Sequence, residues 1–427
     1  MSLETISPEA LTQTLQTPNS TTAPYDTSQF DRDVMTTYGR FPLTLVRGSG
    51  SLVWDDRGKE YLDCVAGIAT CTLGHAHPAM VQAVTEQMST LAHVSNLYYI
   101  PNQGELAAWL VAHSCVDKVF FCNSGAEANE GAIKLARKYA HTVRGIVNPV
   151  IITANASFHG RTLAAVTATG QPKYHQNFNP LVPGFAYVPY NDIAALEATI
   201  AELDATQKQV AAIMLEPLQG EGGVNPGDRA YFQRIREICD ATGILLIIDE
   251  VQVGMGRSGQ LWGHQTLGIE PDVFTSAKGL GGGIPIGALL AKSHCAVFQP
   301  GDHASTFGGN PFVCGVALAV CRTIERDHLL ANAQVRGEQL RAGLTQVAAR
   351  YPQVLEQVRG WGLINGVALG EDSSIGAIDI VKAAMNLGLL LVPAGPKVVR
   401  FVPPLVIAAA EVEQAVARFE QAVAALL

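Results

Sequence analysis

Positive charge is scarce in this 427-residue sequence, which has 29 Lys and Arg residues against 38 Asp and Glu residues. The net charge of −9 argues against binding of duplex nucleic acid or an anionic membrane, because such partners demand a cationic surface. Charged residues make up only 16% and hydrophobic residues 48%, which favours a large buried core over disorder. No uninterrupted apolar run reaches the roughly 18 residues that a membrane-spanning helix needs. The run at 312–321 predicts a buried helix.

Paired cysteines are also missing, since the eight cysteines are scattered and form no Cys-x-x-Cys motif. This spacing argues against a zinc site and against a disulfide framework, so no metal is expected. We expect buried thiols in a reducing compartment. The first 29 residues contain no Lys or Arg and resemble neither a secretory signal nor an Arg-rich transit peptide. They predict a loosely ordered arm, with the cytoplasm as the default location.

Short apolar runs that alternate with helical patterns dominate the middle of the chain. Strands are predicted at 119–122, 150–153, 211–215, 244–248, 273–275 and 287–291, with helices at 126–141 and 229–242. Strands that are apolar on both faces and alternate with helices predict an α/β fold with a largely parallel sheet covered on both sides. Ligands of such a sheet lie beyond the carboxyl ends of its strands.

The two ends of the chain have hydrophobic patterns that differ from those of the middle. Residues 44–64 predict short strands with a turn at 55–58, and helical patterns dominate after about 310. A second αβ region is predicted to end in a strand at 398–402 and a terminal helix. One apolar stripe of that helix is predicted to pack into the core: Val412, Ala415, Val416, Phe419, Val423 and Leu426.

Lys278 follows a predicted strand and precedes glycines, in the segment TSAKGLGGG at 275–283. A phosphate-binding loop of the NTPase type needs its glycines before the lysine, and the dinucleotide-binding glycine spacing is absent from this segment. A lone lysine usually lies on the surface. A lysine withdrawn from water has a lowered pKa and is able to form a Schiff base with an aldehyde.

Asp249 ends the predicted strand of the segment LIIDEVQ, 29 residues before Lys278. A carboxylate there would face the ligand crevice and keep the pyridine nitrogen of pyridoxal phosphate protonated. Alone, such an aspartate is as often a helix cap or half of a salt bridge.

In the segment FFCNSGAEANE at 120–130, a strand turns through Ser-Gly into a helix. The amides at that helix start would bind a phosphate, although alone they indicate only a capped helix.

Together these segments resemble the class III (subgroup II) aminotransferases of the pyridoxal phosphate fold type I superfamily. The resemblance also rests on FHGRT at 158–162, EPLQGEGGV at 216–224 and STFGGNP at 305–311, and it runs from about residue 37 to near the C-terminus. Within the class, FFCNSGAEANE and KVVRFVPP at 397–404 most resemble the acetylornithine subfamily.

The resemblance implies fold type I, with a mostly parallel central sheet covered by helices and a smaller α+β domain built from both chain ends. The implied segments are a flexible arm at 1–28, the N-terminal part of the small domain at 29–75, a large cofactor-binding domain at 76–327 and the C-terminal part of the small domain at 328–427. The implied cofactor is pyridoxal 5'-phosphate.

The resemblance also implies how that cofactor is held. Lys278 would carry it as an aldimine and then shuttle protons, Asp249 would pair with the ring nitrogen, and Gln252 would hydrogen-bond the phenolic oxygen. Phe158 would stack on the ring, although an aromatic residue at a strand end is more often part of the core.

The phosphate and the second subunit are implied together. The amides of Gly125 and Ala126 would bind the phosphate, and Thr306 would reach the phosphate of a neighbouring subunit. Ser305 would face the substrate. A homodimer with shared active sites is therefore part of the expectation.

For the substrates, the resemblance implies transfer of the terminal amino group of N2-acetyl-L-ornithine to 2-oxoglutarate, in a ping-pong cycle that yields N-acetyl-L-glutamate 5-semialdehyde and L-glutamate, a step of arginine biosynthesis. Arg161 would bind the α-carboxylate of acetylornithine or the distal carboxylate of glutamate. Arg400 would bind the α-carboxylate of glutamate. Since an unpaired buried charge is costly, Glu221 would pair with Arg400 whenever acetylornithine is bound. An ordinary surface ion pair of Arg400 is the alternative.

Other readings stay open. The nearest are ω-aminotransferases acting on ornithine, succinylornithine, acetyl-lysine or 4-aminobutyrate. A nicotinamide oxidoreductase on a doubly wound sheet is disfavoured by the missing dinucleotide fingerprint. A non-catalytic protein of this fold is disfavoured because packing requires none of Lys278, Asp249, Arg161 and Arg400.

Overall fold

The computed structural model describes residues 25–427, so most of the predicted arm at 1–28 lies outside the described residues. The strands are β1 (Leu45–Ser49), β2 (Leu52–Asp55), β3 (Glu60–Asp63), β4 (Lys118–Cys122), β5 (Pro149–Ala154), β6 (Phe185–Val188), β7 (Gln209–Leu215), β8 (Leu218–Gln219), β9 (Asn225–Pro226), β10 (Leu245–Asp249), β11 (Val273–Ser276), β12 (Gly287–Ala291), β13 (Leu355–Trp361), β14 (Ile364–Leu369), β15 (Leu389–Leu390), β16 (Val392–Pro393) and β17 (Val398–Phe401).

The helices of the described part cover both the middle and the ends of the chain. They are α1 (Ser28–Asp33), α2 (Ala66–Ala69), α3 (Pro78–Thr90), α4 (Pro101–Ala112), α5 (Gly125–Thr142), α6 (Leu163–Ala168), α7 (Ile193–Ala205), α8 (Arg229–Thr242), α9 (Gly263–Leu267), α10 (Pro311–Arg326), α11 (Leu329–Arg350), α12 (Ala377–Asn386) and α13 (Ala409–Ala424). Short 3₁₀ turns occur at Ser95–Leu97, Pro172–Tyr174 and Lys278–Leu280. The element α2 is a single turn with positive φ angles.

The central sheet has seven strands in the order β4-β12-β11-β10-β7-β5-β6. Its strands run parallel except β12, which is antiparallel to both β11 and β4. All six strands predicted for this sheet are present, which confirms the mostly parallel sheet. The edge strand β6 was not predicted, because its four residues, FAYV, are too few to establish a period.

Alternate residues of the central strands pack against different helical layers, as the pleat of a strand requires. Leu245 and Ile247 of β10 join a cluster with Ile133 of α5, on one face. Leu246 and Ile248 join the cluster that contains Phe232 of α8, on the other. Burial on both faces explains why these strands appear in the sequence as continuous apolar runs.

Both chain ends build the smaller sheets, in agreement with the predicted fold class. The order β1-β2-β3-β15 joins three N-terminal strands to a C-terminal one, and β13-β14-β17-β16 forms a separate sheet. Helix α13 buries Val412, Phe419 and Val423 as predicted. Leu426 is an exception, since it lies beyond the end of this helix and is 37% exposed.

Crossing a lipid bilayer demands a long, uniformly apolar helix, and none of the helices in residues 25–427 meets that requirement. The domain boundaries near residues 75 and 327 stay a prediction.

Candidate active site

The predicted catalytic lysine and predicted cofactor-binding residues meet at one edge of the central sheet. Asp249 is the last residue of β10, and Lys278 comes two residues after the end of β11. These strands are parallel neighbours, with Asp249 opposite Thr275, so their carboxyl ends share an edge. Strand β4 is antiparallel to β12, which is antiparallel to β11, and it therefore brings Gly125 to the same edge.

A cavity of about 410 Å³ lies at this edge, within the usual size range of small-molecule sites. Seven of the residues predicted from sequence line it: Gly125, Ala126, Phe158, Arg161, Asp249, Gln252 and Lys278. The other four predicted residues, Glu221, Ser305, Thr306 and Arg400, are not part of its lining. The cavity therefore combines an amine, a carboxylate, a guanidinium group and a helix N-terminus.

Lys278 is half-buried in the cavity wall, and within residues 25–427 no carboxylate lies close enough to form a salt bridge with it. Burial lowers the pKa of its ammonium group; the Glu221 carboxylate opposes this lowering and the Arg400 guanidinium adds to it. The Lys278 amine is therefore neutral at a lower pH than the amine of an ordinary lysine. A nucleophile or a base requires this neutral form.

Asp249 is 4% exposed and has hydrogen-bond donors on both carboxylate oxygens. The Val251 amide donates to Oδ1 over 3.0 Å. His159 lies with Nδ1 2.8 Å from Oδ2, and the Asn129 amide nitrogen donates to Oδ2 over 2.8 Å. His159 and Asn129 stand in the quoted motifs, but no role was assigned to either from sequence.

The N-terminus of α5 is open to the cavity. Ser124 caps this helix, because its hydroxyl oxygen accepts from the Glu127 amide over 3.2 Å. The amides of Gly125 and Ala126 lie in the first turn and have no intrahelical acceptor. They carry the positive end of the helix dipole, which favours an anion such as a phosphate.

Gly125→Ala is expected to weaken cofactor binding by about 10-fold, roughly the loss of one hydrogen bond to a charged group. A Cβ at position 125 would lie 2.6 Å from Cγ1 of Val251, so the helix start or the Val251 loop must shift. Equilibrium titration of the apoprotein with pyridoxal phosphate measures the effect. The control is Gly104→Ala in helix α4, where a Cβ meets nothing within 4 Å. Equal affinity of the two variants would contradict this role of Gly125.

Arg161 and Phe158 line the cavity, and Tyr174 packs beside them. The Arg161 guanidinium carbon lies 4.1 Å from the centre of the Tyr174 ring and 5.5 Å from that of Phe158. No carboxylate in the described part of the chain forms a salt bridge with Arg161, which leaves its planar fork available to a substrate carboxylate. The Phe158 amide donates to Oε2 of Glu216 over 3.1 Å, which fixes the backbone at the aromatic ring.

Arg400 reaches the site from the second αβ region, on strand β17. Its Nη1 donates to Oε1 of Glu221 over 2.6 Å and to Oε1 of Gln252 over 2.7 Å. Burial raises the pKa of Glu221, but the contact with Arg400 outweighs burial and the net pKa is lowered. The structure therefore brings together the Arg400–Glu221 pair expected from the resemblance. Gln252 completes the cluster by donating to Oε1 of Glu221 over 3.1 Å. Its predicted contact with a phenolic oxygen stays a prediction.

Arg400 is 0% exposed, yet its Nε and Nη2 atoms have no hydrogen-bond partner in the described residues. These two N–H groups are donors without an acceptor, as are Nε of Arg137, Nε of Arg236 and Nη2 of Arg257 elsewhere in the described residues. Glu216 is a second buried acid of the cavity. Burial and the nearby Asp249 carboxylate raise the pKa of Glu216 well above its usual range, which favours its neutral form.

Ser305 and Thr306 lie outside the cavity. The Ser305 hydroxyl accepts from the Gly308 amide over 2.9 Å and from the Asn123 side chain over 3.2 Å, and Asn123 lines the cavity. Thr306 is exposed. Its predicted partner is a phosphate held by another subunit, so its role stays a prediction.

Comparison with known proteins identifies the family. The family model of class III aminotransferases matches residues 34–423. The chain belongs to the class III aminotransferases. It is 68% identical over 424 residues to an acetylornithine aminotransferase of Nostoc sp., covering 99% of each chain. It is 70% identical over 402 residues to the acetylornithine aminotransferase of Thermosynechococcus vestitus, covering 94% of this chain and 98% of the relative.

Solved structures of an ornithine aminotransferase and an N-acetylornithine aminotransferase have the same fold. The ornithine aminotransferase of Toxoplasma gondii ME49 superposes with a TM-score of 0.89 at 33% identity, covering 98% of both chains. The N-acetylornithine aminotransferase of Stenotrophomonas maltophilia superposes with a TM-score of 0.79 at 41% identity, covering 91% of this chain and 97% of that one.

Family membership implies pyridoxal 5'-phosphate, the cofactor predicted from the sequence, and the cavity of this aminotransferase fits it. The amides at the N-terminus of α5 have no intrahelical acceptor and would donate to the phosphate of the cofactor. The Lys278 amine would react with its aldehyde. A protonated ring nitrogen would find the Asp249 carboxylate, which already holds three N–H donors and is therefore fixed in place.

Proposed function

We propose that this class III aminotransferase transfers the terminal amino group of N2-acetyl-L-ornithine to 2-oxoglutarate, yielding N-acetyl-L-glutamate 5-semialdehyde and L-glutamate. The observation that carries the proposal is a lysine-containing cavity lined by one guanidinium group, that of Arg161, with a second, that of Arg400, hydrogen-bonded to the lining residue Gln252. Arg161 has no carboxylate partner among the described residues, whereas Arg400 is paired with Glu221. The acetylornithine aminotransferases at 68% and 70% identity support this substrate over others of the class.

The two arginines solve a recognition problem. Glutamate has two carboxylates and N-acetylornithine has one, distant from the amine that reacts. A guanidinium fork binds a carboxylate through two parallel hydrogen bonds, so the first substrate requires two arginines and the second requires one. Arg161 binds a carboxylate of either substrate in the cavity. Arg400 binds the α-carboxylate of glutamate once Glu221 gives way, and its Nε and Nη2 atoms, which have no partner among the described residues, supply further donors.

Glu221 makes this arrangement reversible. With acetylornithine in the site, the Glu221 carboxylate neutralises Arg400, because an unpaired buried charge costs several kcal/mol. With glutamate in the site, Glu221 gives way, which its position allows because its side chain is 25% exposed while that of Arg400 is 1% exposed.

Bound pyridoxal phosphate supplies an electron sink for the negative charge that develops at the substrate carbon bearing nitrogen. Asp249 would keep the ring nitrogen of the cofactor protonated, and the amides of Gly125 and Ala126 would hold its phosphate. Lys278 Nζ removes the proton from the substrate carbon, for which its lowered pKa suits it. The edge-to-face contact of Phe158 with Tyr174 places two aromatic rings beside the Arg161 guanidinium group.

Glu221→Ala is expected to lower the rate of the acetylornithine half-reaction by about 10-fold relative to that of glutamate, since a charged partner is lost only in the first case. Single-turnover absorbance measurements with each donor give the two rates. The control is Glu420→Ala, which removes the partner of Arg350 from an exposed ion pair and should change neither rate. Equal slowing of both half-reactions would show that Glu221 has no switching role.

The activity itself is tested by comparing kcat/KM for acetylornithine, ornithine, succinylornithine, acetyl-lysine and 4-aminobutyrate with 2-oxoglutarate as acceptor. We expect acetylornithine to be preferred, and preference for another donor would replace the proposed substrate while leaving the class intact. The ornithine aminotransferase fold at a TM-score of 0.89 makes ornithine the second candidate. Visible absorbance that glutamate does not alter would contradict transamination altogether.

We further propose a cytoplasmic homodimer that binds no nucleic acid. All eight cysteines lie in the described part of the chain as free thiols, which suits a reducing compartment.

An exposed apolar segment supports the homodimer, and it consists of Leu97, Tyr98 and Tyr99. The adjacent Asn96 side chain donates to the backbone oxygens of Ser305 and Gly308, so this segment and Thr306 lie on the same surface. Sedimentation is expected to give twice the chain mass of 45.3 kDa.

A further inference from the structure

The carboxylate of Asp249 is held by two consecutive buried hydrogen bonds, one from Asn129 to Asp249 and one from Thr275 to Asn129. Asn129, on helix α5, donates from its amide nitrogen to Oδ2 of Asp249 over 2.8 Å. The Thr275 hydroxyl, on strand β11, donates to Oδ1 of Asn129 over 2.7 Å. Asn129 is 1% exposed and Thr275 is 0% exposed, so no solvent competes for these hydrogen bonds.

The hydrogen-bond network fixes the orientation of the Asn129 amide. Its nitrogen donates both to Asp249 and, over 2.7 Å, to the backbone oxygen of His159. If the amide were flipped, its oxygen would face a carboxylate and a carbonyl, which are both acceptors. The Thr275 hydroxyl then has one role, which is to donate to the oxygen of Asn129.

The number of further hydrogen bonds that the Asp249 carboxylate is able to accept follows from counting the lone pairs of its two oxygens. Its Oδ2 accepts from Asn129 and His159, which fills both lone pairs of that oxygen. Among the described residues, its Oδ1 accepts only from the Val251 amide, so one lone pair of Oδ1 is left. Oδ1 is therefore the oxygen that the network presents to a ligand in the cavity.

We propose that Asn129, oriented by Thr275, is a positioning residue that presents Oδ1 of Asp249 to the ring nitrogen of the cofactor. This inference rests on the proposed function. The terminal torsion of an aspartate has a broad energy minimum, so the carboxylate rotates unless its neighbours hold it. Without Thr275 the Asn129 amide loses one of the three hydrogen bonds that hold it, and without Asn129 the carboxylate loses one of the two donors that fix Oδ2.

The most informative variant is Thr275→Val, which preserves shape and removes only the hydroxyl. We expect kcat to fall by about 10-fold with the KM of both substrates nearly unchanged, and cofactor affinity to fall by a similar factor. The pH dependence of the visible absorbance of the bound cofactor should also shift, because a displaced carboxylate holds the ring proton less firmly. Thr275→Ser keeps the hydroxyl and should restore most of the affinity and the spectrum.

The matched control is Thr153→Val on strand β5. Thr153 is also a fully buried threonine of the central sheet, but its hydroxyl has no hydrogen-bond partner among the described residues. We expect it to leave kcat, affinity and absorbance unchanged. Thermal unfolding of each apoprotein separates loss of fold from loss of positioning, and Asn129→Ala should reproduce the spectral shift of Thr275→Val.

The outcomes are distinct for this inference and for the proposed function. If the wild-type protein transaminates and Thr275→Val matches Thr153→Val in affinity and absorbance, Asn129 and Thr275 only pack the interior and the inference is wrong. If the wild-type protein shows no absorbance response to any amine donor, the proposed function fails first.

Discussion

Replacement of Lys278 with alanine is expected to reduce turnover by at least about 10⁴-fold, the upper range of what one proton-transferring group contributes. Lys278 is the only lysine that lines the cavity in the described part of the chain. Its amine has two roles in the proposed reaction, as the nucleophile that holds the cofactor and as the base that moves the substrate proton. Since no neighbouring amine replaces it, both roles are lost together.

Two further variants separate amine chemistry from charge. Lys278→Arg keeps a cation, but a guanidinium group is neither a nucleophile nor a base at neutral pH, so it should be as inactive as Lys278→Ala. Lys382→Ala removes an exposed lysine on α12 and should leave turnover unchanged. Turnover is measured by following 2-oxoglutarate-dependent consumption of acetylornithine. Activity of Lys278→Ala within about 10-fold of wild type would exclude Lys278 as the central group.

The positions of Lys278, Asp249 and Gly125 could be predicted from the sequence because their placement is local. Each lies at the end of an apolar strand or within three residues of it, and the carboxyl ends of parallel strands share an edge of the sheet. The strand boundaries needed to be right only to within a residue or two. Strand β6 escaped prediction because it contributes no such residue and is only four residues long.

The contact of Arg400 with Glu221 could not be predicted from periodicity, since 179 residues separate the two. The family resemblance supplied that pairing. A buried hydrogen-bond partner for Asn129 could have been predicted from the sequence, because Asn129 belongs to the buried face of α5 with Ala132, Ile133 and Ala136. A polar side chain in an otherwise apolar stripe requires a buried partner. What the sequence could not indicate is that the partner is Asp249.

Arg400→Met is expected to slow the half-reaction of glutamate by about 10²- to 10³-fold, which corresponds to the loss of a desolvated, bidentate carboxylate contact. The acetylornithine half-reaction should lose less than about 10-fold, because that substrate brings no carboxylate to this position. Methionine occupies much of the volume of arginine and keeps the core filled. Single-turnover measurements with each donor give the ratio of the two effects.

One complication of Arg400→Met is the Glu221 carboxylate, which loses its partner. The double variant Arg400→Met with Glu221→Gln removes that charge and should recover the acetylornithine half-reaction without restoring the glutamate half-reaction. Arg161→Met provides the contrast, since both substrates use Arg161 and both half-reactions should slow. Arg350→Met, which removes an exposed arginine, should affect neither. If Arg400→Met slows both donors equally, the buried guanidinium supports the fold of β17 and selects no substrate.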